Sequence, residues 1–236
     1  MLMLILVCVT EAPAGWDRGC GLESGDMEAT VARPVSKAIL IDLGGVLIKD
    51  YLPAAPAAWG IRLGITPQVF MEALFGGSDG QVVIGRVSEQ QWWDIVAVRL
   101  GASPDLVTEL RQDLADREVW DEALVGLVRG LRDRARTAIV SNAWPGTRER
   151  IVRAGMLDLV DQTVLSCEVG YAKPDPRIYQ AALRQLAASP GDALFIDDMP
   201  ANVAAAQSLG ITGHAHTSTA STVSRIEGFV AATAAT

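Results

Sequence analysis

Residues 38–47 read AILIDLGGVL, which is a run of four apolar residues followed by an aspartate, a leucine and a glycine pair. A short apolar run closed by glycines is typical of a strand buried on both faces, as in a parallel sheet. Asp42 stands where this strand ends. The stretch therefore predicts a buried parallel strand that presents one carboxylate at its carboxyl end.

Beyond Trp120 the chain alternates between apolar runs and helical patterns. The runs predict strands at 137–140, 163–165, 193–196 and 211–214, and the patterns predict helices at 121–134, 146–155, 175–187, 200–208 and near 221–232. Strands separated by single helices indicate a parallel sheet covered by helices. The predicted fold class is α/β, a doubly wound, Rossmann-like parallel sheet that includes the first strand.

Residues 54–118 carry helix signals and no strand pattern. Thr66 before Pro67 predicts a helix start, Ser88 and Gln91 form a capping box, and a Ser-Pro pair follows at 103–104. We expect a helical insert at 54–118 between two parts of one core, residues 36–53 and 119–236. Residues 46–52 predict a small hairpin or flap.

Polar residues recur at the predicted strand ends, where sheets of this class bind ligands. They are Asp42, the pair Ser141 and Asn142, the pair Asp197 and Asp198, and Lys173 in a nearby loop. A carboxylate can attack phosphorus, and Mg²⁺ held by two carboxylates and a backbone carbonyl can neutralise the charges involved. The set predicts aspartyl-phosphate chemistry with Mg²⁺ as cofactor.

Bulk composition restricts the partners. The 236 residues carry a net charge of −8 without a Lys/Arg cluster, so nucleic acid is not expected as a partner. A small phosphorylated metabolite, the expected partner of the site, can still bind where a metal ion and one or two cations lie locally. Cys8, Cys20 and Cys167 lack metal-site spacing and predict reduced thiols in the cytoplasm. Residues 1–9 are too short to span a membrane, which takes about 20 residues. We expect residues 1–35 to be a disordered extension outside the fold.

Four segments, in their order and spacing, resemble the motifs of the haloacid dehalogenase-like (HAD) hydrolase superfamily. They are residues 41–47 (IDLGGVL), 139–142 (IVSN), 172–175 (AKPD) and 195–198 (FIDD). The resemblance covers about residues 37–235. It implies that the helical insert is a cap domain. The branch it resembles contains sugar-1-phosphate phosphatases and the N-terminal phosphatase domain of soluble epoxide hydrolase, so a phosphoric monoester hydrolase is expected.

The resemblance also implies individual roles. Asp42 would be the nucleophile and a Mg²⁺ ligand, with the Gly44 carbonyl, Asp198 and, directly or through water, Asp197 completing the protein ligands. Ser141 and Asn142 would bind the phosphoryl group, and Lys173 would orient Asp42 and the phosphate. Asn202 would support the metal site. The expected assembly is a monomer or homodimer.

One position departs from the family pattern. Gly44 stands where the family carries a second aspartate that acts as general acid and then base. Either the substrates have good leaving groups, or another group does this work, Asp50 being a speculative substitute. A non-catalytic protein that binds phosphorylated ligands is the alternative function. A haloacid dehalogenase is the third, disfavoured because such enzymes need no metal-binding pair like Asp197 and Asp198.

Three further features are open to more than one interpretation. His214 and His216 share a face of a predicted strand, and without a third ligand in sight a structural role is favoured over a metal site. The pair at 92–93 (WW) and Phe70 predict packing in the insert. Trp144 either borders the active site or packs.

Overall fold

The computed structural model describes residues 35–49, 54–76 and 79–232. The interpretation of residues 1–34 as an extension and the speculative role of Asp50 lie outside the described residues, as do Cys8 and Cys20. Within the described part, no helix is both long and apolar enough to cross a membrane.

The described strands belong to two sheets. They are β1 (Ala38–Ile41), β2 (Ile48–Lys49), β3 (Val119–Trp120), β4 (Arg136–Ser141), β5 (Gln162–Leu165), β6 (Ala193–Asp197) and β7 (Thr212–Ala215). Five of them form a parallel sheet in the order β5-β4-β1-β6-β7. The α/β prediction is confirmed, and β1 lies in the middle of the sheet, where both faces are covered.

The helices account for most of the rest. They are α1 (Ala54–Leu63), α2 (Pro67–Phe75), α3 (Asp79–Val83), α4 (Glu89–Leu100), α5 (Pro104–Asp116), α6 (Glu122–Arg129), α7 (Thr147–Arg153), α8 (Ser166–Val169), α9 (Pro176–Gln185), α10 (Pro200–Ser208) and α11 (Thr219–Ala231).

The central strand divides its side chains between two hydrophobic clusters, as the two-residue period of a strand requires. Ile39 and Ile41 belong to a cluster that includes residues of α6 and α11, and Ala38 and Leu40 belong to one that includes residues of α9 and α10. All four are fully buried. Burying an isoleucine contributes about 1.5–3 kcal/mol to folding, so burial on both faces stabilises the strand that precedes Asp42.

The helices α1 to α5 form a third hydrophobic cluster of their own. Its fully buried side chains include Phe70, Leu74, Val82, Trp92 and Val96. The packing role predicted for Phe70 and for the tryptophan pair is therefore confirmed. The chain leaves the parallel sheet through β2 and returns through β3, and these strands pair antiparallel.

The structure differs from the sequence predictions at several boundaries. The predicted hairpin at 46–52 is not local, because β2 pairs with β3 some 70 residues later in the chain. The predicted helix extends to 134, but α6 ends at Arg129, because Gly130 terminates it. Strand β4 extends through Ser141, which places this residue within the strand end. The short helix α8 was not predicted, since four residues show no usable period.

Candidate active site

Asp42 lies directly after β1, and its residue is 7% exposed. Its Oδ1 accepts a hydrogen bond from the Leu43 amide at 2.7 Å and lies 2.8 Å from Lys173 Nζ. Burial raises the pKa of Asp42 to about 6, against the opposing effect of the Lys173 charge. A carboxylate with so little hydration is held in one orientation at the end of the strand.

Lys173 bridges two carboxylates. Its side chain is 1% exposed, and Nζ lies 2.8 Å from Asp42 Oδ1 and 2.6 Å from Asp197 Oδ2. A buried ammonium is stable only when it is paired and hydrogen-bonded, and both conditions hold here. The structure therefore brings Lys173 to Asp42, and it also joins Lys173 to Asp197, the last residue of β6.

Asn142 holds the main chain of that lysine. Its Oδ1 accepts from the Lys173 amide at 2.6 Å, and its Nδ2 donates to the Lys173 carbonyl oxygen at 2.9 Å. Asn142 also lines the cavity described below. Sequence reasoning assigned Asn142 to the phosphoryl group. The structure adds that its amide fixes the loop that carries Lys173.

Asp197 is the most thoroughly bound carboxylate of the group. It is fully buried and accepts hydrogen bonds from the Met199 amide at 2.8 Å and from Asn202 Nδ2 at 3.0 and 3.2 Å, in addition to Lys173. Asn202 thus lies beside the acid pair, as expected. With so many donors on Asp197, the exposed Asp198 is better suited to bind an ion directly.

Three carboxylates could hold a metal ion together. Ligand atoms of Asp42, Asp197 and Asp198 all lie within 4.8 Å of one another. Carboxylate oxygens are hard donors of the kind that Mg²⁺ prefers, so the donor set fits the predicted ion. The group carries three acids against one lysine, and a divalent cation would offset the surplus negative charge.

The two glycines after Asp42 have different surroundings. A Cβ at Gly45 would lie 2.5 Å from Asp198 Oδ2, and the φ of Gly45 is +74°, so only glycine fits there. A Cβ at Gly44 would meet no neighbouring atom within 4 Å. Sequence reasoning singled out Gly44 and missed Gly45, whose contact with Asp198 is made between distant segments.

A cavity of about 350 Å³ opens beside Asp42, and its lining includes Gly44, Ser141 and Asn202. Ser141 is 4% exposed. Phe75 of α2 and Val83 of α3 also line it, so the helical insert contributes to its wall. The predicted phosphate-binding residues and the predicted nucleophile therefore share one cavity.

Trp144 both borders the cavity and packs against other aromatic side chains. It lines the cavity, and its ring centroid lies 5.3 Å from that of Phe75 and 5.6 Å from that of Trp92. Because Phe75 and Trp92 belong to the helical insert and Trp144 follows β4, these contacts join the insert to the sheet.

Sequence reasoning missed three polar residues of the same cavity, namely Glu118, Thr147 and Arg150. No motif marks them, since a glutamate after a helix and an arginine within a helix are ordinary surface residues in a sequence. Only the return of the chain through β3, next to α7, brings them to the cavity.

The histidine pair has a structural environment. His214 Nε2 and His216 Nδ1 lie 3.1 and 2.8 Å from Thr222 Oγ1, and burial lowers the pKa of both. This agrees with the role that was favoured for them. Cys167 is a free thiol, and burial raises its pKa to about 11.

Comparison with known proteins gives a family for most of the chain. Residues 36–210 match the family described as haloacid dehalogenase-like hydrolase. Acyl-CoA dehydrogenase family member 10 of Mus musculus is 49% identical over 186 residues, which cover 74% of this chain and 17% of that protein. Bifunctional epoxide hydrolase 2 of Sus scrofa is 28% identical over 199 residues, 74% of this chain and 35% of the relative. The chain thus spans about a third or less of these relatives.

Solved structures share the fold. A HAD family enzyme from Bacteroides thetaiotaomicron in complex with magnesium and inorganic phosphate superimposes with a TM-score of 0.62 at 24% identity, covering 76% of this chain and 93% of the other. L-2-haloacid dehalogenase from Xanthobacter autotrophicus gives 0.57 at 20% identity, with 75% and 76% covered. At such identities the likeness concerns the fold alone.

Proposed function

The chain belongs to the haloacid dehalogenase-like hydrolases, and on that premise we propose that it is a Mg²⁺-dependent phosphatase of small phosphorylated metabolites. The observation that carries the proposal is the buried Lys173 shared by Asp42 and Asp197, with Asp198 alongside. That arrangement combines a nucleophile, a fixed cation and a set of metal ligands at one sheet edge.

Asp42, Asp198 and the Gly44 carbonyl would hold Mg²⁺, with Asp197 in contact with the ion or one water away. The ion would supply charge neutralisation for an anionic nucleophile that meets an anionic phosphoryl group. Supporting the assignment, ligand atoms of the three carboxylates lie within 4.8 Å of one another. The HAD family enzyme from Bacteroides thetaiotaomicron, which shares this fold, was solved in complex with magnesium and inorganic phosphate, and this supports the assignment.

The residues of this chain would act in two steps. Oδ1 of Asp42 accepts a hydrogen bond from the Leu43 amide and contacts Lys173, and a carboxylate oxygen of Asp42 held in this way would attack phosphorus. The bond from phosphorus to the leaving oxygen breaks, and its electron pair departs with the leaving group. Water then attacks the aspartyl-phosphate, which releases inorganic phosphate and restores the carboxylate. Ser141, buried at the same cavity, would hold a phosphoryl oxygen.

Gly44 limits which leaving groups the protein can handle. General acid catalysis contributes about 10²–10⁴-fold, and no carboxylate stands at position 44 to supply it. We propose that acyl, aryl and anomeric sugar phosphates, whose leaving groups need little protonation, react faster than simple alkyl phosphates.

The helical segment at 54–118 is proposed to be the cap of a core formed by 36–53 and 119–236. Its support is the contribution of Phe75 and Val83 to the wall of the cavity and the contact with Trp144. The cytoplasmic location and the monomeric or homodimeric state stay predictions.

Two alternatives have specific motivations. A non-catalytic protein that binds phosphorylated ligands is motivated by Gly44 alone. A dehalogenase is motivated by the shared fold with the Xanthobacter autotrophicus enzyme. The acid pair Asp197 and Asp198 disfavours the dehalogenase, because its chemistry needs no metal ligands.

The test is hydrolysis of p-nitrophenyl phosphate and acetyl phosphate with and without Mg²⁺. We expect turnover that requires Mg²⁺ and falls by about 10⁴-fold or more in Asp42→Asn, as for removal of a covalent nucleophile. The matched control is Asp192→Asn. It makes the same change at a carboxylate that pairs with Lys37 and not with Lys173. Activity that survives in Asp42→Asn would sink the mechanism, and absence of turnover over a broad panel would favour the non-catalytic alternative.

A further inference from the structure

Three polar residues of the cavity beside Asp42 take no part in the network at the strand ends. They are Glu118, which follows α5, and Thr147 and Arg150 of α7. They contact one another: Arg150 Nη2 donates to Thr147 Oγ1 at 3.1 Å, and Arg150 Nε lies 3.4 Å from Glu118 Oε1. The cavity therefore holds a second group of charges in addition to the proposed reaction centre.

Arg150 is an incompletely satisfied cation. Its Nε is buried and has no hydrogen-bond partner, because the contact with Glu118 is long and does not meet hydrogen-bond geometry. The side chain of Arg150 is 28% exposed and that of Glu118 is 14% exposed. Leaving a buried N–H without an acceptor is unfavourable, so an acceptor brought by a ligand would be bound favourably.

Glu118 is the carboxylate that lies next to this arginine. Burial raises the pKa of its carboxyl, against the effects of Arg150 and Arg153. An anion that reached Arg150 would compete with this carboxylate.

The space available extends past Arg150. A second cavity of about 210 Å³ shares Glu118, Trp144 and Arg150 with the first, and its lining also includes Arg111 and Arg153. Its lining residues carry three guanidinium groups against two carboxylates, and Arg111 is already paired with Glu89 at 2.7 Å. The surplus is positive, which favours an anion in a protein whose net charge is −8.

We propose that Arg150 binds a second anionic group on the leaving-group side of the substrate. The substrate class would then be phosphomonoesters whose leaving group carries a carboxylate or a further phosphate. The inference rests on the proposed function, since it assumes that the phosphoryl group to be transferred lies at Asp42. The cavity beside Asp42, about 350 Å³, is of the size that binds small metabolites, and the second cavity adds about 210 Å³ next to it.

Binding in the Asp42→Asn background tests the inference without turnover. The probes are 3- and 4-carboxyphenyl phosphate and 1,4-phenylene bisphosphate. The neutral controls are the corresponding carbamoylphenyl phosphates, which have the same shape but an uncharged group in place of the carboxylate. Kd is measured by calorimetry in the presence of Mg²⁺. At least one carboxylate isomer or the bisphosphate should bind about tenfold more tightly than the neutral control, as for one charge-assisted contact. The two anionic arms distinguish a carboxylate subsite from a phosphate subsite.

Further substitutions separate recognition from structure. Arg150→Met should remove the preference for the anionic probe, and Arg150→Lys should keep part of it. Glu118→Gln should strengthen the preference, because it removes the competing carboxylate. Arg134→Met, at an exposed arginine paired with Glu227, should leave the preference unchanged. Thermal unfolding of each variant reports whether it is folded.

The outcomes of the two proposals are distinguishable. Equal Kd values for the probes and their neutral controls overturn the inference, and so does a preference that persists in Arg150→Met. Neither result bears on the proposed function, which is tested by hydrolysis of p-nitrophenyl phosphate. Failure to bind any of the probes overturns it as well. A preference that depends on Arg150 in a protein without phosphatase activity supports the subsite and refutes the proposed function.

Discussion

Charged side chains are buried at the strand ends and largely exposed in the helical segment α1–α5. At the strand ends Asp42, Lys173 and Asp197 are buried, and Lys173 and Asp197 each contact partners from more than one part of the chain. In the helical segment the charged pairs, such as Arg62 with Glu109, are largely exposed, and stability comes from an apolar cluster. A buried charge is tolerated only in a complete network, whereas exposed pairs contribute little. Substitutions should therefore have much larger effects in the first region than in the second.

The largest effect is expected for Lys173→Met. It would leave Asp42 and Asp197 buried without their shared cation, and breaking a buried pair from one side costs about 3–5 kcal/mol. We expect a corresponding loss in the free energy of unfolding in urea, together with loss of turnover. Lys37→Met is the control, because Lys37 pairs with the half-exposed Asp192 and should cost only about 1 kcal/mol or less. Equal losses in the two variants would contradict the distinction between the regions.

The cluster of Asp42, Asp197 and Asp198 should give the next largest effect. Mg²⁺ at 100 times its Kd would stabilise the folded protein by about 2.7 kcal/mol, since the three carboxylates converge only in the folded state. In Asp198→Asn this stabilisation should largely disappear, and in Asp192→Asn it should persist. Thermal unfolding with and without Mg²⁺ measures both. An identical response to Mg²⁺ in all three proteins would remove Asp198 from the ligand set.

A gain is expected at Gly44. A Cβ at this position would meet no neighbouring atom within 4 Å, so we expect Gly44→Asp to fold and to supply the missing acid. General acid catalysis typically contributes about 10²–10⁴-fold, so an added acid that works only partly should still raise kcat for alkyl phosphates by about tenfold or more, with a smaller rise for p-nitrophenyl phosphate. Gly44→Asn controls for the added volume. A rise of equal size for both classes of leaving group would argue against a role in protonation.

The smallest effect concerns the helical segment. Ser88 Oγ accepts the Gln91 amide at 3.2 Å and caps α4, and Ser88→Ala should cost about 1 kcal/mol in the free energy of unfolding. The kcat of the variant should be unchanged, because this contact is on the surface. A large loss of activity would show that α4 is coupled to the reaction centre more tightly than its exposed contacts indicate.

Local patterns were sufficient for the elements of the fold. The capping box at Ser88, the Thr66-Pro67 start and the apolar strand runs act within a few residues, and α4, α2 and the strands appear where they were predicted. The end of α6 was predicted wrongly, and the local hairpin considered for 46–52 does not account for the pairing of Ile48 and Lys49 with a distant strand. Pairing of β2 with β3 depends on residues far apart in the chain, and the buried Leu131 continues the apolar pattern of α6 beyond Gly130.

The sequence by itself determined which chemical groups stand at the strand ends. A parallel sheet presents the carboxyl ends of its strands at one edge, so Asp42, Ser141 and Asp197 could be grouped without coordinates. Tertiary structure alone decided how those groups are held: Lys173 is buried between two acids, Asn142 fixes its main chain, and Gly45 makes room for Asp198. The Glu118–Arg150 pair belongs to the same class. Such contacts join segments from different parts of the chain, and their energies depend on burial, which no local pattern of residues encodes.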